Sequence, residues 1–241
     1  MIPKIIWQSW KTKDLDPLIQ NRLHTMMAMN PDYKHFLLTD DEIDHFVHTE
    51  YADCPDILAC YDRLNIIVAK VDFWRYLVLY KYGGVYLDMD STINQSLDGL
   101  IRPDDEAVIT REGHPGIFVQ WALIFNAGHP ILKSTIDLIV RNIQTNAFPN
   151  DIHKMTGPTA FTQGVNNYHM SLYGEALTHK NEYIEQPNQV DVSYDRGIHY
   201  RMYGVDYNEF FSFNYPESRL LYRNVTHWLQ EQKMKPLLLP G

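Results

Sequence analysis

The chain has 241 residues with a 45% apolar share, which is enough to bury a core and predicts a single domain over residues 1–241. Its formal charge of −9 argues against a general nucleic-acid binder, which needs a basic face for phosphates, yet leaves room for one local basic pocket. The two cysteines, Cys54 and Cys60, lack CxxC spacing and a larger cluster, so a zinc site loses support and two free thiols are expected.

No charged stretch precedes an apolar run at the start of the chain, and no apolar run approaches a membrane span. These features predict no leader and no anchor, with peripheral membrane association at most. The sequon Asn224-Val225-Thr226 matters only in a secretory lumen, to which nothing else in the sequence points. Tyrosine (16) and tryptophan (5) are plentiful and suit stacking on sugars or bases, but composition alone is satisfied by an aromatic core.

In chain order, residues 4–8 form a short apolar run with β-branched Ile5 and Ile6, which predicts a buried strand. A polar loop follows, and Pro17 opens a helix that ends at Asn30-Pro31. A second strand is predicted over residues 33–38. Thr39 or Asp40 then caps a helix with Glu42 and Asp44 near its positive end. A short helix over 55–61 precedes a long one from about Leu64 to Tyr82, whose apolar residues leave only a narrow polar face. Gly83 is placed to stop that helix in a left-handed conformation, and Gly84 turns the chain into the strand Val85-Tyr86-Leu87. Residues 91–100 read as a connection, and 107–110 as a strand. Residues 118–125 read as a strand or strand–helix junction, 131–144 as a helix after Gly128-His129-Pro130, and 160–168 as a helix after Thr156-Gly157-Pro158. Beyond Tyr173 the periodicity weakens to short strands and loops. Strand and helix alternate, which predicts an α/β fold with a mostly parallel sheet.

The chemistry concentrates in residues 70–90. Asp88 and Asp90, two apart on a strand, share a face, where two carboxylates repel unless a cation lies between them. Hard oxygen ligands suit Mg²⁺ or Mn²⁺, which recruits phosphate oxygens as further ligands. An Asp-x-Asp alone is most often a solvated pair. Here an apolar strand behind a double glycine runs into it, and open α/β sheets collect ligands at the carboxyl ends of their strands. Asp72 and Arg75 are three apart on one helix face, among Val71, Phe73, Trp74 and Leu77, where an unpaired charge is costly. A structural ion pair and a ligand-holding pair fit that pattern equally. His227, between Thr226 and Trp228, could ligate a metal, although its spacing alone favours an ordinary histidine. Nucleophile-elbow, dinucleotide-fingerprint and Walker motifs are missing from the sequence.

These residues together resemble the DXD-containing glycosyltransferases of family 32. Residues 2–10 (Ile-Pro-Lys-Ile-Ile-Trp-Gln-Ser-Trp) are similar to that family's N-terminal segment, and Asn30-Pro31 with Tyr33 to its NPxY. Asp72, Arg75-Tyr76, Leu79-Tyr80, Gly83-Gly84, Tyr86-Leu87-Asp88 and Asp90 are similar to its central DxxRYxxLYxxGGxYxDxD block. Gly128-His129-Pro130 and Thr156-Gly157-Pro158 resemble segments of its mannosyltransferase branch. Two positions depart from the pattern. Trp7 stands where the family has histidine, and the C-terminal HHWxxSW is reduced to Thr226-His227-Trp228-Leu229.

The resemblance implies a GT-A fold and a retaining, metal-dependent hexosyltransferase. The donor would be a nucleotide sugar, GDP-mannose or a UDP-hexose, with a slight tilt to mannose, and the acceptor a glycan or polysaccharide. In that reading Asp90 binds the metal and Asp88 the metal or ribose. Asp72 and Arg75 hold the donor sugar and its phosphate side, Tyr86 borders the nucleotide, Ile6, Trp7 and Gln8 contact the base, and His227 is a metal ligand. The membrane anchor usual in the eukaryotic enzymes is missing, which points to a bacterial or virus-encoded enzyme in the cytoplasm. The rival expectations are a nucleotide-sugar hydrolase and a non-catalytic sugar-nucleotide or glycan-binding protein of the same fold.

Overall fold

The first strand, β1 (Ile5–Ser9), pairs in parallel with β2 (Lys34–Leu38) across the helix α1 (Pro17–Ala28). The computed structural model describes residues 1–113, 116–174, 190–192, 200–207, 209–223 and 227–240. Asp16 accepts from the Leu18 amide to cap α1, with Pro17 in its first turn. Helix α2 (Asp40–Glu50) opens on a reciprocal capping box, the Thr39 amide donating to Glu42 Oε2 at 2.8 Å. Two helices, α3 (Pro55–Arg63) and α4 (Ile67–Tyr82), lead to β3 (Gly84–Leu87). The long helix begins at Ile67 rather than Leu64, because Leu64 is extended and bridges Leu238 near the other end of the chain.

The rest of the described chain runs through β4 (Ser91–Ile93), β5 (Ala107–Arg111), β6 (Ala122–Phe125), α5 (Pro130–Gln144), α6 (Ile152–Met155) and α7 (Pro158–Tyr173). It continues through β7 (Val190–Val192), β8 (Tyr200–Val205), β9 (Phe211–Phe213) and α8 (Trp228–Met234). The main sheet has the order β2-β1-β3-β6-β5-β8-β7. Strands β2, β1, β3, β5 and β8 point one way, and β6 and β7 run against them, so the sheet is mostly parallel in direction. Strands β4 and β9 form a separate antiparallel pair, β4 lying where a plain connection was expected and β9 in the stretch read as short strands and loops. Three residues are too few to show a period, and their partner lies far down the chain. The sequon at 224–226 and the residues assigned to short strands and loops at 175–189 and 193–199 lie outside the described residues.

Alternation along the strands sorts their side chains between two cores. Trp7, Tyr86, Leu123, Phe125, Ala107 and Ile109 face a cluster shared with α2, α3, α4, α5 and α7. Ile6, Val85, Leu87, Ala122, Ile124 and Val108 face a second cluster with Met26 of α1, Ile93 of β4 and Phe211 of β9. Helix α4 has Ala69 and every residue from Asp72 to Leu79 buried, as an apolar helix packed between α2 and α5 must be.

The junction after α4 differs from the expected left-handed cap. Gly83 has φ +66° but ψ −167°, and Gly84 has φ +106°, so the chain is extended through a region open to glycine. A Cβ on Gly84 would lie 2.6 Å from the Ile5 carbonyl oxygen. The Trp7 indole donates to the Gly83 carbonyl at 2.9 Å. This close crossing fixes where β3 begins.

Candidate active site

Strand β3 delivers Asp88 to the carboxyl end of the β1–β3 sheet half. The Asp88 amide donates to the Trp121 carbonyl at 2.7 Å, and the Ser91 amide returns to the Asp88 carbonyl at 3.0 Å. Asp88 and Asp90 therefore lie in a tight turn between β3 and β4, not on the strand as expected. Leu87 still pairs with Ala122, but the chain reverses immediately after it. The turn, rather than strand alternation, brings the two carboxylates near each other.

Asp72, Arg75 and Asp88 converge, as the helix spacing and the strand end predicted. Arg75 Nη2 lies 3.0 Å from Asp72 Oδ1 and 3.3 Å from Asp88 Oδ1, and Arg75 Nη1 donates to the Gln120 carbonyl at 3.1 Å. The guanidinium covers the Tyr86 ring at 4.5 Å, and the Tyr86 hydroxyl donates to Asp88 Oδ1 at 2.5 Å. Both carboxyl oxygens of Asp72 are held. Gln120 Nε2 donates to Oδ1 at 3.1 Å and Thr156 Oγ1 to Oδ2 at 3.1 Å. Gln120 also donates to the Tyr76 hydroxyl at 2.7 Å, and that hydroxyl to the Thr156 carbonyl at 3.3 Å. The arginine fork is thus engaged within the protein, and it acts by holding two carboxylates in place.

Burial pushes Asp72 up to about 6, against the pull of Arg75. It also raises Asp88, which Arg75 and the Tyr86 hydroxyl oppose. Asp90 is pushed up to about 6 by burial and by Asp88 beside it. Burial works against the charge of Arg75, but Asp88, Tyr86 and Asp72 outweigh it and hold its pKa above the ordinary value.

Asp90 is 7% exposed. Its Oδ2 accepts from the Tyr222 hydroxyl at 2.7 Å, whereas Oδ1 is buried with no hydrogen-bond partner among the described residues. A buried carboxylate oxygen left in this state costs free energy unless a cation or donor completes it. The donor set fits Mg²⁺ or Mn²⁺, which protein sites hold through one or two carboxylates while substrate phosphates and water supply the rest.

A cavity of about 200 Å³ opens on this network, lined by Asp72, Arg75, Asp88 and Gln120 and by the aromatic rings of Trp121, Phe213 and Trp228. Carboxylates and a guanidinium beside aromatic faces can hold a hydroxylated ring by hydrogen bonds and stacking at once.

The other predicted site residues do not reach the carboxylate oxygens. Ile6 is fully buried in the second cluster, and Trp7 is 7% exposed, stacked on Phe36 at 4.8 Å, with its indole spent on Gly83. Their side chains serve packing. Gln8 is buried, donating to the Asp88 carbonyl at 3.4 Å and pairing with His35 Nε2 at 2.9 Å, so it supports the turn from behind. The structure does not bring His227 to the two aspartates. Among the described residues no three His, Cys, Asp or Glu side chains converge to hold a metal. His227 is exposed, stacks on Trp228 at 5.6 Å, and accepts from the Leu229 amide at 3.3 Å to cap α8.

Sequence reasoning passed over Gln120, Tyr222 and the aromatic lining. Gln120 carried a signal, as a lone polar residue in the apolar run from Ile117 to Phe125. Tyr222 carried none.

Residues 17–107 match the family model described as "Glycosyltransferase sugar-binding region containing DXD motif". The resemblance to family 32 is borne out: the chain carries the sugar-binding region of the DXD-containing glycosyltransferases. It is 36% identical over 147 residues to inositol phosphoceramide mannosyltransferase 3 of Schizosaccharomyces pombe, covering 61% of this chain and 38% of that protein. It is 27% identical over 218 residues to an initiation-specific alpha-1,6-mannosyltransferase of Candida albicans, covering 75% and 56%. It is 29% identical over 193 residues to the putative glycosyltransferase HOC1 of Saccharomyces cerevisiae, covering 69% and 49%. The chain thus spans roughly half or less of the length of these relatives. Among solved structures, PaToxG glycosyltransferase superposes with a TM-score of 0.57 at 24% identity over 72% of each chain, which establishes the shared GT-A fold. The expected bacterial or virus-encoded, cytoplasmic setting is corrected by these matches, because the three relatives are fungal. No helix among the described residues is long and apolar enough to cross a membrane.

Proposed function

We propose that residues 1–241 form one catalytic unit that transfers a hexose, with mannose the first candidate, from a nucleotide-sugar donor with retention of configuration. The observation that carries this is Asp90 Oδ1, buried without a partner among the described residues, beside Asp88 and next to the Asp72–Arg75 pair. Such an arrangement is unfavourable for the empty protein and favourable around a divalent cation on a diphosphate. The names of the relatives, which specify mannosyl transfer, support mannose from GDP-mannose ahead of a UDP-hexose. The acceptor class is a glycan or polysaccharide, to which one relative's name adds inositol phosphoceramide.

Asp88 and Asp90 would hold Mn²⁺ or Mg²⁺. When bound, the ion neutralises charge that develops on the leaving diphosphate. The chain's own residues do the rest. Asp72, held at both oxygens, offers a fixed acceptor to sugar hydroxyls. Arg75 and Tyr86 keep Asp88 in register, and the aromatic walls exclude water. As the bond from the acceptor oxygen to the anomeric carbon forms, the bond to the leaving phosphate breaks, and that phosphate takes the acceptor's proton.

The test is a panel of GDP- and UDP-sugars with Mn²⁺, scored by thermal shift and by release of nucleoside diphosphate with and without acceptor. Asp90→Ala is expected to stay folded and lose turnover by at least a hundredfold, and Arg75→Ala to lower kcat/KM. Full turnover in Asp90→Ala would remove the metal from the reading. Release that ignores acceptor would make the protein a hydrolase, and binding without turnover a sugar-nucleotide-binding protein.

A further inference from the structure

The turn that carries Asp90 is clasped by a segment from the far end of the chain. The Tyr215 hydroxyl donates to the Met89 carbonyl at 3.1 Å, and the Tyr222 hydroxyl donates to Asp90 Oδ2 at 2.7 Å. The clasp is built in. Tyr215, Leu221 and Met89 share an apolar cluster with Leu15 and Ile19. Arg22 of α1 pairs with Glu217 at 3.1 Å and lies over the Tyr215 ring at 5.4 Å. Trp10 meets Tyr222 edge-on at 5.8 Å. Two tyrosines seven residues apart thus grip consecutive residues of one turn, each through its hydroxyl.

A carboxylate has two oxygens, and which one meets a cation depends on what holds the other. On Asp90 the oxygen bonded to Tyr222 is occupied, and the other is buried and without a partner among the described residues. We infer that Tyr222 is the positioning residue for the divalent cation: its hydroxyl pins Asp90 Oδ2 and presents Oδ1 as the ligand atom, while Tyr215 fixes the backbone from which Asp90 projects. Partners of this kind orient a ligand and are worth about 10–100-fold in metal affinity. The inference rests on the reading of Asp88 and Asp90 as the cation site.

The experiment measures Mn²⁺ binding to the purified chain, without nucleotide, by the electron paramagnetic resonance signal of the free ion. Tyr222→Phe keeps the ring against Trp10 and removes only the hydroxyl. It is expected to melt near the wild-type temperature and to bind Mn²⁺ at least about tenfold more weakly. Tyr215→Phe is expected to weaken binding in the same direction by less. Asp90→Asn is the reference variant and is expected to abolish the high-affinity site. If Asp90→Asn loses Mn²⁺ while Tyr222→Phe binds like wild type, the role of Tyr222 is overturned and the cation site stands. If wild type binds no Mn²⁺, or Asp90→Asn binds it unchanged, the cation site and this inference fall together. A Tyr222→Phe protein that is less stable but binds Mn²⁺ normally would make the tyrosine a structural prop only.

Discussion

Asp90 and Asp72 are acids held against their preference for water. Each is pushed up to about 6, by burial first, from a free-chain value near 4. Between about pH 4 and pH 6 the folded state therefore keeps protons that the unfolded chain has lost, so this contribution to stability falls as pH rises through that window. The loss is about 3 kcal/mol per carboxylate when no cation is present. In EDTA, Asp90→Asn is expected to gain several degrees of Tm on wild type between pH 4.5 and pH 7. Added Mn²⁺ is expected to reverse the order. Parallel melting profiles for the two proteins would show that Asp90 is not strained. At this scale the sequence was informative where partners are near in the chain: Asp72, Arg75, Tyr86, Asp88 and Asp90 lie within nineteen positions, and the helix spacing of Asp72 and Arg75 held, while a turn and not strand alternation joined Asp88 to Asp90. Gln120, Thr156 and Tyr222 reach the same carboxylates from remote elements, and helix or strand periodicity carries no record of such distances. The buried packing of Ile6 and Trp7 has a related cause, because strand alternation assigns faces without saying which face the ligand uses.

The elements from β1 to α4 were legible because each carries its own start and stop signals, such as Pro17, the Thr39–Glu42 box and the double glycine. The β4–β9 pair and α8 were not, being too short to set a period. The double glycine does more than end a helix. At Gly84 the backbone has φ +106° and crosses β1 so closely that a Cβ would overlap the Ile5 carbonyl oxygen. Gly84→Ala combines a disfavoured dihedral with a contact against backbone that cannot move aside, at a cost of about 1–3 kcal/mol or more. Urea unfolding is expected to show that loss. Because β3 carries the turn, Mn²⁺ binding should weaken with it. A substitution tolerated at full stability would mean that β1 and β3 can separate without consequence.

Across the whole molecule, the sheet half that bears the turn and the half built from β5 and β8 meet through reversed β6. The far half is pinned by a buried ion pair. Arg201 is fully buried, its Nε donates to Asp105 Oδ1 at 2.8 Å, its Nη2 also pairs with Asp105 Oδ2, and Nη2 reaches the Leu100 carbonyl at 2.6 Å. Arg201→Met takes the guanidinium from Asp105 and leaves that buried side chain, among the described residues, only the Arg102 amide, which donates to Oδ2 at 2.8 Å, with an expected loss of about 3–5 kcal/mol in chemical unfolding. Changing Asp105→Leu as well is expected to recover much of it. If the double variant were no more stable than the single one, the ion pair would not be the source of the loss.

The clasp on Asp90 also has a consequence in time. Asp90 and Tyr222 are 132 residues apart, so in a growing chain the carboxylate turn leaves the ribosome long before the tyrosine that grips it exists. At the usual pace of synthesis that interval is on the order of ten seconds. The turn itself can take shape early, but the hydroxyl that pins its carboxylate is added only 132 residues later.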